Sequence, residues 1–149
     1  MGDLHIDDFY RDSARILLQL YRHFPRRELI YTEDIAGPDT PDDFGLPSDR
    51  HQACFATMLW LAENDYLSYD STIAQEALDQ AVLNQRGFNL LASLENQSEY
   101  LAEEASQEET NQEANSPTEP ITRSQLLRYK LKRESSTRLN HYMRHLLTL

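Results

Sequence analysis

The chain is poor in the residues that build covalent or cofactor-dependent sites. It has one cysteine, Cys54, among 149 residues, so an intramolecular disulfide is excluded and a reducing compartment is expected. It has no Cys-x-x-Cys pair, no glycine-rich phosphate loop and no nucleophile elbow. We therefore expect no catalytic activity and no cofactor.

Long apolar runs are also missing. No stretch approaches the about 18 consecutive apolar residues of a membrane-spanning helix. Residues 1–5 lack the basic and apolar regions of a signal peptide. These features predict a soluble cytoplasmic protein with no membrane partner. With 40% apolar residues, the chain has enough core-forming side chains for one domain with appendages.

Positive charge is scarce and unevenly placed. The chain has 14 Lys and Arg against 25 Asp and Glu, a formal net charge of −11. Residues 1–94 carry −9 (7 basic, 16 acidic), residues 95–120 carry −8 (none basic, 8 acidic) and residues 121–149 carry +6 (7 basic, 1 acidic). We predict a folded domain over the first range, an acidic and partly disordered linker over the second, and a basic C-terminal helical segment over the third. Such an acidic body is unusual for a protein whose main partner is DNA.

The stretch from Ser48 to Leu94 organises the rest of the chain, and its first part predicts a helix. Ser48 follows Pro47 and has the side-chain oxygen of a good N-cap, and residues 63–65 end the pattern. Apolar residues recur at spacings of three and four, which is typical of a helix packed on a core. The predicted buried face contains His51, Cys54, Phe55, Met58, Leu59, Leu61 and Ala62.

Two strands and a second helix are predicted next. Residues 66–70 and 77–83 have the aromatic and apolar content of paired strands, with residues 71–76 as their connection. Asn84 is predicted to cap the second helix. We expect that helix to continue for some turns, through Tyr100 and Leu101.

The first part of the chain predicts two helices and a loop. A helix is expected over residues 7–24, stopped by Pro25. Residues 32–36 predict one or two further helical turns, capped by Thr32 and ended by Gly37. The connection that follows is longer than a compact turn and carries three aspartates, so we expect an exposed acidic loop.

The last part of the chain predicts basic helices. Thr122 and Gln125 have the spacing of a capping box. Residues 135–137 are expected to break the segment into two helices. Because the segment is basic and the rest of the chain is acidic, we expect it to lie against its own chain when no other partner is present.

The run from Leu83 to Leu91, LNQRGFNLL, resembles the Leu-Thr-x-x-Gly-x-x-Leu-Leu segment that closes the wing in many bacterial winged helix-turn-helix proteins. Asn84 stands where threonine usually caps the helix, and asparagine caps at least as well. The resemblance covers roughly residues 7–94 and implies a winged helix, mainly α with a small β-hairpin wing at residues 71–76. Winged helices serve as DNA readers and as protein-binding modules, so the fold alone does not select the function.

The outer face of the helix that follows Ser48 is the first candidate binding surface. In DNA-reading winged helices the corresponding helix enters the major groove. The predicted outer residues are Asp49, Gln52, Ala53, Ala56, Thr57, Trp60 and Glu63, with Arg50 at the edge. The apolar members are typical of a protein interface with an aromatic centre. The alternative is that Trp60 packs under the first helix or under the C-terminal segment.

Few basic residues are available for phosphate contacts on this surface. Arg50 is the only basic residue of the outer face, and Arg86 is the only one between residues 66 and 94. A second set of candidate nucleic-acid or partner contacts lies in the C-terminal segment. That set contains Arg128, Lys130, Lys132 and Arg133.

Four residues that could support chemistry have simpler interpretations. His141 and His145 stand four apart, but no third ligand is apparent, so we expect solvated histidines and no metal site. His51 is expected to be a core histidine with satisfied hydrogen bonds. Cys54 has no basic neighbour in sequence to activate it and is expected to be a buried structural thiol.

Three functions are consistent with these patterns. The resemblance favours a DNA-binding transcription regulator, because bacterial winged helices often read DNA. The charge and Trp60 favour a protein-interaction module, similar in kind to the acidic winged-helix subunits of bacterial condensin-like complexes. The third alternative is a homodimeric scaffold assembled through the C-terminal helices.

Overall fold

A computed structural model describes residues 3–95, 121–133 and 135–149, and this part of the chain is mainly helical with small antiparallel sheets. The helices are α1 (Leu4–His23), α2 (Thr32–Ala36), α3 (Asp49–Glu63), α4 (Gln85–Ala92), α5 (Arg123–Arg133) and α6 (Ser136–Leu147). The strands are β1 (Glu28–Tyr31), β2 (Leu67–Ser68), β3 (Ser71–Ile73), β4 (Ala77–Leu83), β5 (Leu94–Glu95) and β6 (Ile121–Thr122). None of these helices is both long and apolar enough to cross a membrane.

Local signals place several helix ends where the sequence predicts them. Ser48 caps α3, since its side-chain oxygen accepts a hydrogen bond from the backbone N–H of His51 at 3.2 Å. Gly37 ends α2 with a φ of 90°, a left-handed conformation that suits glycine. Thr122 and Gln125 exchange side-chain and backbone hydrogen bonds, as predicted for a capping box. Ser135 caps α6, so the predicted break between the last two helices is confirmed.

The main sheet is built around β4, which pairs with β1, β2 and β3. The bounds of β4 agree with the predicted strand over residues 77–83. Strand β3 occupies the first half of the predicted connection, so only residues 74–76 form the turn. Strand β1 was not predicted from the sequence. It is four residues long and depends on pairing with β4, more than 40 residues away, which local patterns do not reveal.

Two predicted side-chain caps are wrong. Asn84 precedes α4 but makes no capping bond. Its amide instead donates to the Leu67 carbonyl at 3.1 Å and accepts from the Ser68 hydroxyl, which joins α4 to β2. Thr32 lies inside α2, where its hydroxyl contacts the ring of His51. Both polar side chains bond to a distant part of the chain in preference to the nearest free amides.

Gly87 has a packing reason in this fold. A Cβ at this position would clash with the backbone carbonyl oxygen of Tyr66. The first turn of α4 therefore lies closer to the backbone just before β2 than a residue with a side chain at position 87 would allow.

The end of α4 differs from the expectation of a longer helix. The helix stops at Ala92, and β5 then pairs with β6, with Leu94 opposite Thr122 and Glu95 opposite Ile121. The Arg123 side chain donates to the Glu95 carboxylate at 3.1 Å, which adds a contact across the β5–β6 pair. Tyr100, Leu101 and the rest of the predicted linker from residue 96 to 120 lie outside the described residues.

One hydrophobic core includes the C-terminal helices. Helix α1 lies at its centre and contacts α3 and β4 as well as α5 and α6. The C-terminal segment therefore lies against its own chain, as expected, and it does so through apolar contact. The buried side chains of α5 and α6 in this core are Leu126, Leu127, Leu139, Tyr142, Met143 and Leu146.

Leu146→Ala is expected to lower the free energy of unfolding of the whole chain by about 2–5 kcal/mol, because it opens a cavity in a packed core. Urea denaturation followed by circular dichroism measures this change. The matched control is Leu149→Ala, since Leu149 is 53% exposed, and its effect should stay below about 0.5 kcal/mol. Separate melting of α5 and α6, with the rest of the chain unaffected by Leu146→Ala, would contradict a shared core.

The pairing of β5 with β6 leads to a prediction about the residues between the two strands in the sequence. Glu95 and Ile121 are antiparallel partners, so their Cα atoms are close enough for a short turn to connect them. Replacing residues 96–120 by a short Gly-Asn turn should leave the free energy of unfolding equal to or above that of the full chain, because a shorter loop costs less entropy to close. A loss of several kcal/mol would show that the replaced residues contribute to the core and are not a linker.

Candidate functional site

The outer face of α3 starts with an arginine, Arg50, that is half-buried and bound to α1. The two terminal nitrogens of the Arg50 guanidinium donate to both carboxylate oxygens of Asp12 on α1, at 2.7 and 2.6 Å. Asp8 lies 3.7 Å from the same group. The hydrogen bonds that Arg50 donates to the buried Asp12 carboxylate raise the pKa of Arg50. The positive charge of Arg50 is therefore neutralised within the fold.

Trp60 is the aromatic centre of this face and is 37% exposed. One side of its ring meets Phe9 of α1 edge to face, with ring centroids 5.0 Å apart, and it stacks near Tyr66 at 6.3 Å. Trp60 thus packs partly against the first helix, and the remaining part of the indole faces solvent.

Arg86 is the second cation near this face, and it packs on Tyr66, the ring that stacks near Trp60. The guanidinium of Arg86 lies over the Tyr66 ring, 4.4 Å from its centroid. It also donates to the Asn64 carbonyl at the end of α3, at 2.9 Å. Arg86 therefore joins α4 to the end of α3.

The remaining predicted outer residues divide between surface and interior. Gln52 and Ala56 are exposed, and Ala53 is half-buried. Thr57 is buried, and its hydroxyl donates to the Ala53 carbonyl at 2.9 Å, so its predicted position on the outer face is wrong. Thr57 lies at the edge of the exposed face of α3, on the side where the helix packs against neighbouring elements.

Acidic side chains lie at both ends of the apolar strip that Ala53, Ala56 and Trp60 form on α3. Asp49 and Glu63, at the two ends of α3, are exposed, and so is Asp65 just beyond it. Between residues 28 and 95 the chain contains Arg50 and Arg86 as its only Arg or Lys residues. Arg50 is paired with Asp12, and Arg86 is exposed but held against the Tyr66 ring. The exposed side chains of α3 itself are therefore acidic, apolar or neutral: Asp49, Gln52, Ala56, Trp60 and Glu63.

His51 and Cys54 have structural roles, as the sequence predicts. Both ring nitrogens of His51 are used, Nε2 with the Gly37 carbonyl at 2.6 Å and Nδ1 with the Thr32 hydroxyl at 3.3 Å. Burial raises the pKa of the Cys54 thiol to about 12, with the Asp12 carboxylate contributing in the same direction. A thiol with such a pKa is a poor nucleophile at neutral pH.

The four candidate cations of the C-terminal segment have different environments. Lys130 is buried, and its ammonium lies 5.5 Å from the centre of the Tyr142 ring. Arg133 is exposed and lies over the Tyr129 ring at 5.1 Å. Lys132 is exposed and Arg128 half-buried. Helix α5 therefore presents a small basic surface, while Lys130 belongs to the packed interior.

Potential metal ligands are not clustered in the part of the chain that the structure describes. No three His, Cys, Asp or Glu side chains come close enough there to hold a metal ion. His141 lies beside a shallow groove of about 330 Å³ between α1 and α6, whose other lining residues include Asp7 and Arg144.

Sequence reasoning missed two residues that shape the α3 face. Asp12 is a buried carboxylate that binds Arg50, and Phe9 supports Trp60. A signal for Asp12 exists, because it lies three residues after Phe9 and four before Ile16 and so shares a side of α1 with apolar residues. A charged group in such a position requires a partner of opposite charge.

Arg50→Ala should lower the free energy of unfolding by about 3 kcal/mol, because it leaves the buried Asp12 carboxylate without its partner. Chemical denaturation at neutral pH measures the loss. The double variant Asp12→Asn with Arg50→Ala should recover part of it, since the amide carries no charge. Equal stability of Arg50→Ala and the wild-type chain would show that the ion pair is unimportant.

Comparison of the chain with models of known protein families, with curated proteins and with solved structures finds no match.

Proposed function

We propose that the chain is a winged helix-turn-helix module that binds another protein through the outer face of α3, and that it is not an enzyme. The order of its elements supports this fold. Helices α1 to α3 are followed by strands β2, β3 and β4, and β4 pairs with both of the other two. The sheet order β1-β4-β2 places β1, the strand after α1, on the other side of β4.

The observation that supports a protein partner over DNA is that both cations near α3, Arg50 and Arg86, are bound by other groups of the same chain. A DNA reader is positioned by contacts from basic side chains to phosphates. Here Arg50 binds Asp12, and Arg86 binds the Asn64 carbonyl and the Tyr66 ring. Exposed carboxylates at the ends of α3 would in addition repel the DNA backbone.

The apolar strip gives the proposed interface its core. Trp60 presents a partly exposed indole that Phe9 holds in place from behind, so little side-chain entropy is lost when a partner covers it. Ala56 and Ala53 lie one and two turns before Trp60 on the same helix face and leave space for a partner side chain.

Nucleic-acid binding through α5 is the second candidate function. It is favoured by the exposed side chains of Lys132 and Arg133 and by the +6 charge of residues 121–149. A homodimer through the C-terminal helices is the third. Against it, much of the apolar surface of α5 and α6 is already covered by α1.

Ala56→Arg in the full chain tests the α3 surface. The substitution adds bulk and charge at an exposed position, so the free energy of unfolding should change by less than about 0.5 kcal/mol. Partner proteins captured from a lysate by the wild-type chain should be lost with Ala56→Arg and retained with the control Phe44→Arg, since Phe44 is 89% exposed on a separate loop. Trp60 is the only tryptophan, so its fluorescence should shift when a purified partner is added.

DNA binding is measured in parallel by fluorescence anisotropy with random-sequence duplexes over a range of salt. We expect no salt-sensitive binding by the wild-type chain. Binding that disappears when Lys132 and Arg133 are changed to Glu would instead support the second candidate. A dimeric mass in sedimentation equilibrium, with unchanged capture by Ala56→Arg, would favour the scaffold.

A further inference from the structure

The outer face of the main sheet carries a second apolar surface. In the antiparallel register, Tyr31 of β1 and Ile73 of β3 both stand opposite Ala77 of β4. Residues directly opposite one another share a face of the sheet, so the three side chains form one row. Tyr31 is 40% and Ile73 41% exposed, and Ala77 between them is fully buried. Ala77 does not belong to the main core cluster, which indicates that the row lies on the other side of the sheet.

Strand β1 has apolar side chains on both of its faces. Ile30 points into the core and is fully buried. Leu29 and Tyr31 alternate with it and therefore lie on the outer face, where Leu29 is 37% exposed. An antiparallel strand with one solvated face normally carries polar residues there. The composition of β1 is instead typical of a sheet that is covered on both faces.

The two segments that carry this row contain acidic but no basic residues, and the nearest basic residues in sequence, Arg26 and Arg27, are exposed just before β1. Residues 28–36 and 70–79 together contain six acidic and no basic residues. Glu33 and Glu76 are exposed, and Glu76 lies in the turn that follows Ile73. Arg27, immediately before β1, donates to the Gln80 carbonyl at 3.2 Å and so is bound to the backbone at the other end of the strand.

We propose that this sheet face, defined by Leu29, Tyr31, Ala77 and Ile73, binds a basic segment of another protein that has apolar anchor residues. The apolar row would receive the anchors, and the surrounding carboxylates would pair with Lys or Arg of the segment. A second copy of the chain is a poor occupant, because two molecules with a net charge of −11 repel one another. This surface is separate from the α3 face and would give the module a second point of attachment.

A random peptide library displayed on phage, selected against the full chain, tests the proposal. Enriched peptides should combine Lys or Arg with apolar residues, and synthetic versions should bind with an affinity that falls as salt rises. Ile73→Lys should weaken that binding by at least about tenfold, because it places a positive charge in the apolar row, where it repels the basic residues of the peptide. Glu76→Gln should weaken it less and reduce its salt dependence.

Two matched variants separate this surface from the others. Phe44→Lys adds the same charge on an exposed loop, and Ala56→Lys adds it on the α3 face. Both should leave peptide affinity within about twofold of wild type. Enriched peptides without basic residues, or peptides that bind Ile73→Lys as tightly as the wild type, would overturn the proposal. Loss of binding with Ala56→Lys alone would assign the peptides to α3 and would also overturn the proposal. A wild-type dimer that Ile73→Lys converts to a monomer would overturn it too, because the occupant of the sheet face would then be a second copy of the chain.

Discussion

The burial of α1 on several sides is the constraint on which the rest of the structure depends. Its buried residues are nearly consecutive and include Asp12, Ser13, Ala14, Ile16, Leu17, Leu18 and Leu20. A helix with a single apolar stripe would need one layer of neighbours, but these positions face in most directions around the axis. Helix α3 and the sheet cover one part of α1, and α5 and α6 cover another. The two ends of the chain are therefore held in one core.

Charge neutralisation inside this core determines which surfaces remain for partners. Because α1 brings Asp12 into the core, Arg50 must turn inward to pair with it. The end of α3 similarly retains Arg86 over Tyr66. The outer face of α3 and the row around Ala77 then carry mainly carboxylates and apolar side chains, although Arg26, Arg27 and Arg86 are exposed close to them in the chain. Further exposed basic residues occur on α5.

Elements with strong local signals were predictable. Helix α3, strand β4, the capping box at Thr122 and the break at Ser135 each depend on neighbouring residues, and each is found as expected. Elements and roles that depend on distant residues were missed. Strand β1 forms only because β4 is beside it, and Asn84 and Thr32 bond to groups that the fold brings near them. The position of Thr57 required knowledge of where α3 meets its neighbours.

The sequence by itself determined the mainly helical class, the acidic body with its basic C-terminal segment, and the buried roles of His51 and Cys54. These follow from composition and from periodicity, which act over a few residues. The tertiary structure decided that Arg50 points inward to Asp12, that Trp60 rests on Phe9, and that Tyr31 and Ile73 meet beside Ala77. Each of these contacts joins residues far apart in the chain, and the loss of entropy in closing such long loops is offset only when the whole core forms together.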